Sequence, residues 1–191
     1  MEFQKIKLHR SEKRGSAVTQ ITLDDDYNVP DYRQDIVKVI KEHGELRFDE
    51  VKAMEGAAWI KGSLIFKVLY RSDKQEGKIS CLRGEIPFQE RLNMDGLSEY
   101  DAVHAVGDIE DLTVGVINSR KLNIRAVIVL TASADTEVDE ELTCELSDGS
   151  DYEQNIVEKE ALKLLVVRRD ICRQKSEAVL PSSKPNIREI L

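Results

Sequence analysis

The carboxylates of Asp24 and Asp26 and the amide of Asn28 stand in the D-x-D-x-N spacing that opens a calcium-binding loop. Such a loop needs glycine at its sixth position, where the backbone turns sharply, and a bidentate glutamate at its twelfth. This chain places Val29 and Asp35 there. The run therefore reads as a solvated acidic turn that offers at most a weak cation site. His9, His43 and His104 each stand alone, and Cys81, Cys144 and Cys172 form no CxxC pair. That spacing gathers no ligand set, so neither a metal nor any other cofactor is expected. Cys81 lies in the apolar run Ile79-Ser80-Cys81-Leu82 with no histidine close in sequence, which fits a small buried hydrophobe and not a nucleophile. No G-x-S-x-G, P-loop or dinucleotide fingerprint occurs, and no catalytic residue is expected.

What is left is chemistry of contact. Ser119-Arg120-Lys121 separates two apolar runs and reads as a polar turn. Arg120 and Lys121 are its candidates for meeting an acidic partner surface, although isolated exposed charges contribute little by themselves. Trp59 and Tyr70 belong to a strand pattern, and packing in the core is their expected role.

The elements that carry these residues read mostly as strands. Residues 3–10 alternate loosely, and Ala17 to Leu23 (AVTQITL) is rich in β-branched residues. Asp24-Asp25-Asp26 reads as a loop. Asp31 and Gly44 have the residue types of a helix N-cap and stop, and they bracket Ile36, Val37, Val39 and Ile40. One short helix is expected between 31 and 43. From Glu45 the pattern becomes a meander. Glu55-Gly56 can turn the chain, and Leu64, Phe66, Val68 and Tyr70 recur with period two. Residues 72–77 read as a polar hairpin loop, and Pro87 marks an edge or a strand end. Asp95-Gly96 sits in a loop. Ala102 to Val116 is β-rich, and Leu122, Ile124, Ala126, Ile128 and Leu130 alternate beyond Asn118-Ser119. The fold class implied is mainly β: an antiparallel sandwich or barrel-like domain with one short helix.

The chain has 191 residues, 41% of them hydrophobic and 34% charged, with a formal net charge of -8. That is enough apolar material for a core without disulfides or metals. The negative balance argues against binding nucleic acid, whose phosphates reward a basic face. The N-terminus has no apolar stretch of a secretory signal, and no run approaches the 18 apolar residues of a membrane span. Three cysteines far apart fit a reduced compartment.

The end of the chain repays comparison with its start. Pro30 to Ile40 reads PDYRQDIVKVI, and Pro181 to Leu191 reads PSSKPNIREIL. Without a gap, Pro30 matches Pro181, Arg33 matches Lys184, Asp35 matches Asn186, and Ile36 matches Ile187. Val39-Ile40 matches Ile190-Leu191. We read residues 1–138 as a first β domain, 139–158 as an acidic linker, and 159–191 as the start of a second, incomplete repeat. Leu162, Leu164, Val166 and Ile187 then become candidate interaction residues, because an apolar strand without its partners recruits a sheet edge. Self-association through this segment is one expectation.

The runs QITLDDDYNVPDYRQDIVKVI, VLYRSD, IPFQE, VINSRKLNIRAVIVLTA and VLPSSKPNIREIL, in this order, resemble the SPOCS domain family. These domains occur in tandem in clostridial spore-forming proteins, among them the SipL-type coat morphogenetic proteins. The resemblance covers about residues 2–135 as one copy and 160–191 as the start of another. It implies a non-enzymatic scaffold module of the spore coat or envelope, located in the mother cell at the forespore surface. Its implied partners are spore coat morphogenetic proteins. The family's LysM module is not among the residues present, so the binding it carries does not transfer. A module that binds carbohydrate or peptidoglycan is the alternative, but it needs an aromatic platform and only 5% of residues are aromatic. A hydrolase would need converging acid, base or nucleophile groups, which no spacing suggests.

Overall fold

A computed structural model describes residues 3–72, 79–146, 157–158, 160, 174–185 and 187. Six strands follow one another: β1 (Phe3–Asn28), β2 (Ile36–Met54), β3 (Ala57–Ser72), β4 (Ile79–Asn93), β5 (Ala102–Asn118) and β6 (Lys121–Leu146). They form two three-stranded antiparallel sheets, ordered β1-β6-β5 and β2-β3-β4. The expected β class is therefore right. The sheets face each other with β2 alongside β5 and β1 near β4.

The central strands supply the core. In β6 every second residue from Leu122 to Ala134 is fully buried, as are Leu64, Phe66, Val68 and Tyr70 of β3. Both strands have sheet neighbours on either side and the opposite sheet beneath, so their inward side chains lose all contact with water. Tyr27 meets Phe66 edge-on at 5.1 Å between ring centres, and Phe48 meets Phe88 at 6.3 Å. These T-shaped pairs set the positive edge of one ring against the negative face of the other.

The expected helix between 31 and 43 is absent; no helix occurs among the described residues. Residues 30–33 form a turn, and β2 begins at Ile36. The cause is a pair of bulges, at Ile36/Lys38 and Val39/Lys41. Each bulge inserts one residue, so the inward side advances by three: Ile36, Val39 and Glu42 face in, and only then does the period return to two with Gly44, Leu46 and Phe48. A spacing of three imitates a helical face. The β-branched Ile36, Val37, Val39 and Ile40 suit the pleat better than a helix. Gly44, expected to stop a helix, lies inside the strand. A Cβ there would stand 2.9 Å from Ile109 Cδ1, and a Cβ on Gly107 of β5 would stand 2.7 Å from Leu46 Cδ1. These two glycines let β2 and β5 close up.

Two further boundaries differ from expectation. Asp24, Asp25 and Asp26 belong to β1 and not to a loop. β6 continues past 138 to Leu146, paired with β1 as far as Phe3, so the first residues expected in the linker are strand. The turns at Gly56 and Gly96 stand where expected, with φ of 70° and 76°. Pro87 sits in β4, an outer strand of its sheet. Residues 73–78, most of the expected polar hairpin loop, lie outside the described residues.

Candidate functional site

The β5–β6 hairpin turns on Ser119 and Arg120, and the Arg120 N–H donates to Asn118 Oδ1 at 2.8 Å. This turn meets the segment 29–35 that carries the chain from one sheet to the other. Val29 N–H donates to the Arg120 carbonyl at 2.8 Å, and Ile36 N–H to the Ser119 carbonyl at 2.9 Å. The Arg120 guanidinium then reaches across the segment. It donates to the carbonyls of Arg33 at 2.7 Å and Val29 at 3.0 Å, and to the carboxylates of Asp35 at 3.2 Å and Asp31 at 3.3 Å. Ser119 Oγ donates to the second oxygen of Asp35 at 3.3 Å. A planar fork with five donors is suited to such a cluster of acceptors.

Arg120 thus works inside the molecule: its donors clasp the crossing between the sheets. Lys121, the other candidate, is paired with Asp26 at 2.7 Å. Asn123 donates its amide to Asp24 at 2.8 Å and to Asp26 at 3.2 Å. Lys121 first, and Asn123 after it, hold the Asp26 carboxyl below the usual range. The calcium-like triplet is therefore a cross-strand ladder whose carboxylates already have donors.

The remaining candidates scatter. His9 Nδ1 lies 2.5 Å from Asp139, His43 Nε2 3.4 Å from Glu45, and His104 Nε2 3.5 Å from Asp135. These are three separate places, and no group of three or more metal-ligating side chains gathers among the described residues. Cys81 is half-buried in β4. Tyr70 is fully buried and donates its hydroxyl to the Gln34 carbonyl at 3.2 Å, while Trp59 is half-buried in β3. Ile187 is exposed. Leu162, Leu164 and Val166 lie outside the described residues.

Sequence reasoning missed several exposed apolar residues near the clasp. β2 and β5 run alongside each other in opposite directions: Ile36 bonds to Ser119, Gly44 faces Ile109, and Gly107 faces Leu46. Where the two strands meet the clasp, Val37 and Ile40 of β2, Val116 and Ile117 of β5, and Tyr32 of the crossing are all exposed. The available signal was Val116-Ile117: adjacent residues in a strand point to opposite faces, so one of two apolar neighbours at a strand end must face outward. A second exposed aromatic, Tyr100, lies at the other end of β5. Among the described residues, the two exposed tyrosines are therefore too far apart to form one stacking platform.

Acidic and basic groups elsewhere also stitch strands together. Arg47 of β2 reaches Glu85 at 2.6 Å and Asp49 at 2.9 Å. Asp101, buried in the β4–β5 connection, accepts the Ser98 N–H at 2.8 Å, and Arg14 lies 3.6 Å away.

The family model described as SipL, SPOCS domain matches residues 35–117. The matched stretch opens at Asp35 in the clasp and ends at the exposed Ile117 of β5, with β2, β3, β4 and nearly all of β5 between. No curated protein and no solved structure matches the chain.

Proposed function

We propose that this chain, whose residues 35–117 match the SipL, SPOCS domain family model, is a sporulation-related, non-enzymatic structural module of the spore coat or envelope that acts by protein–protein contact. The observation that carries this reading is that Tyr32, Val37, Ile40, Val116 and Ile117, each in or a few residues along the chain from the segments that meet at the Arg120 turn, are all exposed. They sit on two strands and the crossing, held by core packing and by the Arg120 clasp. Apolar residues left in water at a sheet end are places that a partner's apolar surface would cover. The neighbouring charges of Arg120, Lys121, Asp26 and Asp35 are spent within the molecule. Contact here would rest on apolar burial, with polar groups at the rim. The partners proposed are spore coat morphogenetic proteins, met in the mother cell at the forespore surface.

The test uses the full chain as bait in lysate from sporulating cells, beside a Val37→Glu/Ile117→Glu variant. Both substitutions replace exposed residues, so the fold should persist, which circular dichroism verifies. Recovery of coat morphogenetic proteins by the wild type and loss by the variant supports the proposal. Equal recovery by both removes this surface from it. Retention of both on purified peptidoglycan, with no coat protein recovered, favours the carbohydrate-binding alternative.

A further inference from the structure

The outer face of the β1-β6-β5 sheet carries apolar residues that the core does not use. In β6 the even positions from Leu122 to Ala134 are buried, so the odd ones point outward, among them Val127, Val129 and Thr131. These three are half-buried, because a strand lies on either side of them. The register places Val18 of β1 and Val106 of β5 on the two sides of Thr131. Both valines face out, 67% and 64% exposed. Val18, Thr131 and Val106 thus form a row across three strands, about 10 Å wide. Val129 and Val127 continue from the middle of that row along β6. β-Branching suits all five to the pleat, but threonine would meet that need at an exposed position without apolar surface.

Carboxylates border this apolar line on one side. The next row is Gln20, Val129 and Asp108, and the one after it is Thr22, Val127 and Asp111. The bulge between Ile109 and Asp111 adds Glu110, whose carboxylate accepts from Gln20 Nε2 at 2.6 Å across β6. Asp111 accepts the Thr113 hydroxyl at 3.2 Å. Among the described residues, Asp108, Glu110 and Asp111 have no cation paired with them. The carboxylates of Asp24 and Asp26 on β1 differ, since Asn123 and Lys121 already hold them.

Shape and charge together select an occupant. A second sheet would need apolar residues at the outward positions of all three strands. Beside Val129 and Val127 the outer strands offer Gln20, Thr22, Asp108 and Asp111 instead. A second copy of this face would set its own carboxylates against these as like charges. A line one side chain wide matches the narrow apolar stripe of an amphipathic helix, which is about 10 Å across. Lysines or arginines beside that stripe would meet the β5 carboxylates. We infer that this face docks a basic amphipathic helix of a partner protein. Its apolar stripe lies along Val127, Val129 and Thr131 and between Val18 and Val106, with its cations toward β5. The surface stands at a distance along β5 from the exposed residues near the Arg120 clasp and does not depend on them.

Fluorescence anisotropy with the full chain tests this. One probe is a labelled synthetic helix with a leucine stripe flanked by lysines, and the other has glutamates in place of the lysines. The wild type should bind the lysine helix at least about tenfold more tightly than the glutamate helix, and salt should reduce the difference. Val18→Thr/Val106→Thr keeps the β-branching and removes apolar surface, and Asp108→Asn/Asp111→Asn removes charge. All four replacements are at exposed positions, so the fold should persist, which circular dichroism verifies. Each variant should weaken binding of the lysine helix about fivefold or more. Equal affinity for the two helices, or equal affinity of the wild type and either variant, overturns the inference. A proline-interrupted lysine peptide that binds as tightly as the helix also overturns it, because the face would then take basic chains of any shape. So does a dimer of the wild type that the valine variant dissociates in sedimentation, because a second copy would then cover the face.

Discussion

Val29 and Arg120 exchange two hydrogen bonds: the Val29 N–H donates to the Arg120 carbonyl at 2.8 Å, and the Arg120 guanidinium donates to the Val29 carbonyl at 3.0 Å. One residue thereby fixes the crossing between the sheets through both its backbone and its side chain. Replacing Arg120 with alanine leaves the backbone bond and removes the rest. Two carbonyls and the Asp31 and Asp35 carboxylates lose a donor, which should cost about 2 kcal/mol. Arg120→Lys should recover only part of this, because one ammonium cannot span acceptors spread around a planar fork. Thermal unfolding of the three proteins checks the order: wild type, then lysine, then alanine.

Glycine substitutions should separate by position. A Cβ on Gly84 would lie 2.2 Å from the Phe66 ring and 2.7 Å from that of Tyr27, whereas the nearest atom to one on Gly115 would be 3.9 Å away. Gly84→Ala must push the Tyr27–Phe66 pair apart and should cost about 1–3 kcal/mol. Gly115→Ala meets nothing and should be neutral or stabilise by up to about 1 kcal/mol, since it restricts the unfolded chain. Urea denaturation measures both.

Asp101 should contribute to acid sensitivity. The Ser98 N–H first, then the Thr136 side chain and Arg14, hold its carboxyl below the usual 3.8 despite its burial. A depressed folded pKa means that the ionised form favours folding. The stability it gives is complete above the unfolded value of about 3.9 and is lost as pH falls through the lower folded value. Asp101→Asn should therefore be less stable than wild type near neutrality, and the gap should narrow below pH 4. Denaturant titrations at pH 6 and pH 3 give the comparison.

Lys121 should control the ionisation of Asp26. Removing its ammonium in Lys121→Met leaves Asn123 as the remaining donor and should move the Asp26 pKa back up toward 3.8. Proton-linked chemical shifts of the Asp26 side chain report this directly. Because donors already occupy Asp24 and Asp26, millimolar calcium should leave the melting temperature of the wild type unchanged.

The strands most legible in the sequence were those that keep a strict period of two. Leu122 to Leu130 in β6 and Leu64 to Tyr70 in β3 could be read residue by residue, because no bulge interrupts them. β2 was misread because its bulges stretch the inward spacing to three, and β1 was read in pieces because the bulge at Lys13/Gly15 changes its phase. The acidic triplet looked like a loop because its donors, Lys121 and Asn123, are distant in sequence. For the same reason Arg120 could be noticed as an isolated charge but not recognised as a clasp. Its acceptors are mostly backbone carbonyls, which every residue has and no sequence displays.

The partner of β1 is the last of the six described strands. Phe3 is matched with Leu146 and Asn28 with Lys121, so even the nearest pair spans most of the domain. While the ribosome is making the chain, β1 emerges first and must wait for all the other strands before its neighbour exists. The β2-β3-β4 meander and the β5–β6 hairpin can form from neighbouring strands as they appear, but β1 cannot. Closing so long a loop is paid in chain entropy before any contact repays it, which places this domain among the slower-folding topologies. In the interval the apolar positions of β1 are exposed to solvent. The lysines and arginines interspersed among them, which later meet the acidic side of β6, first serve to keep an unpaired strand from aggregating.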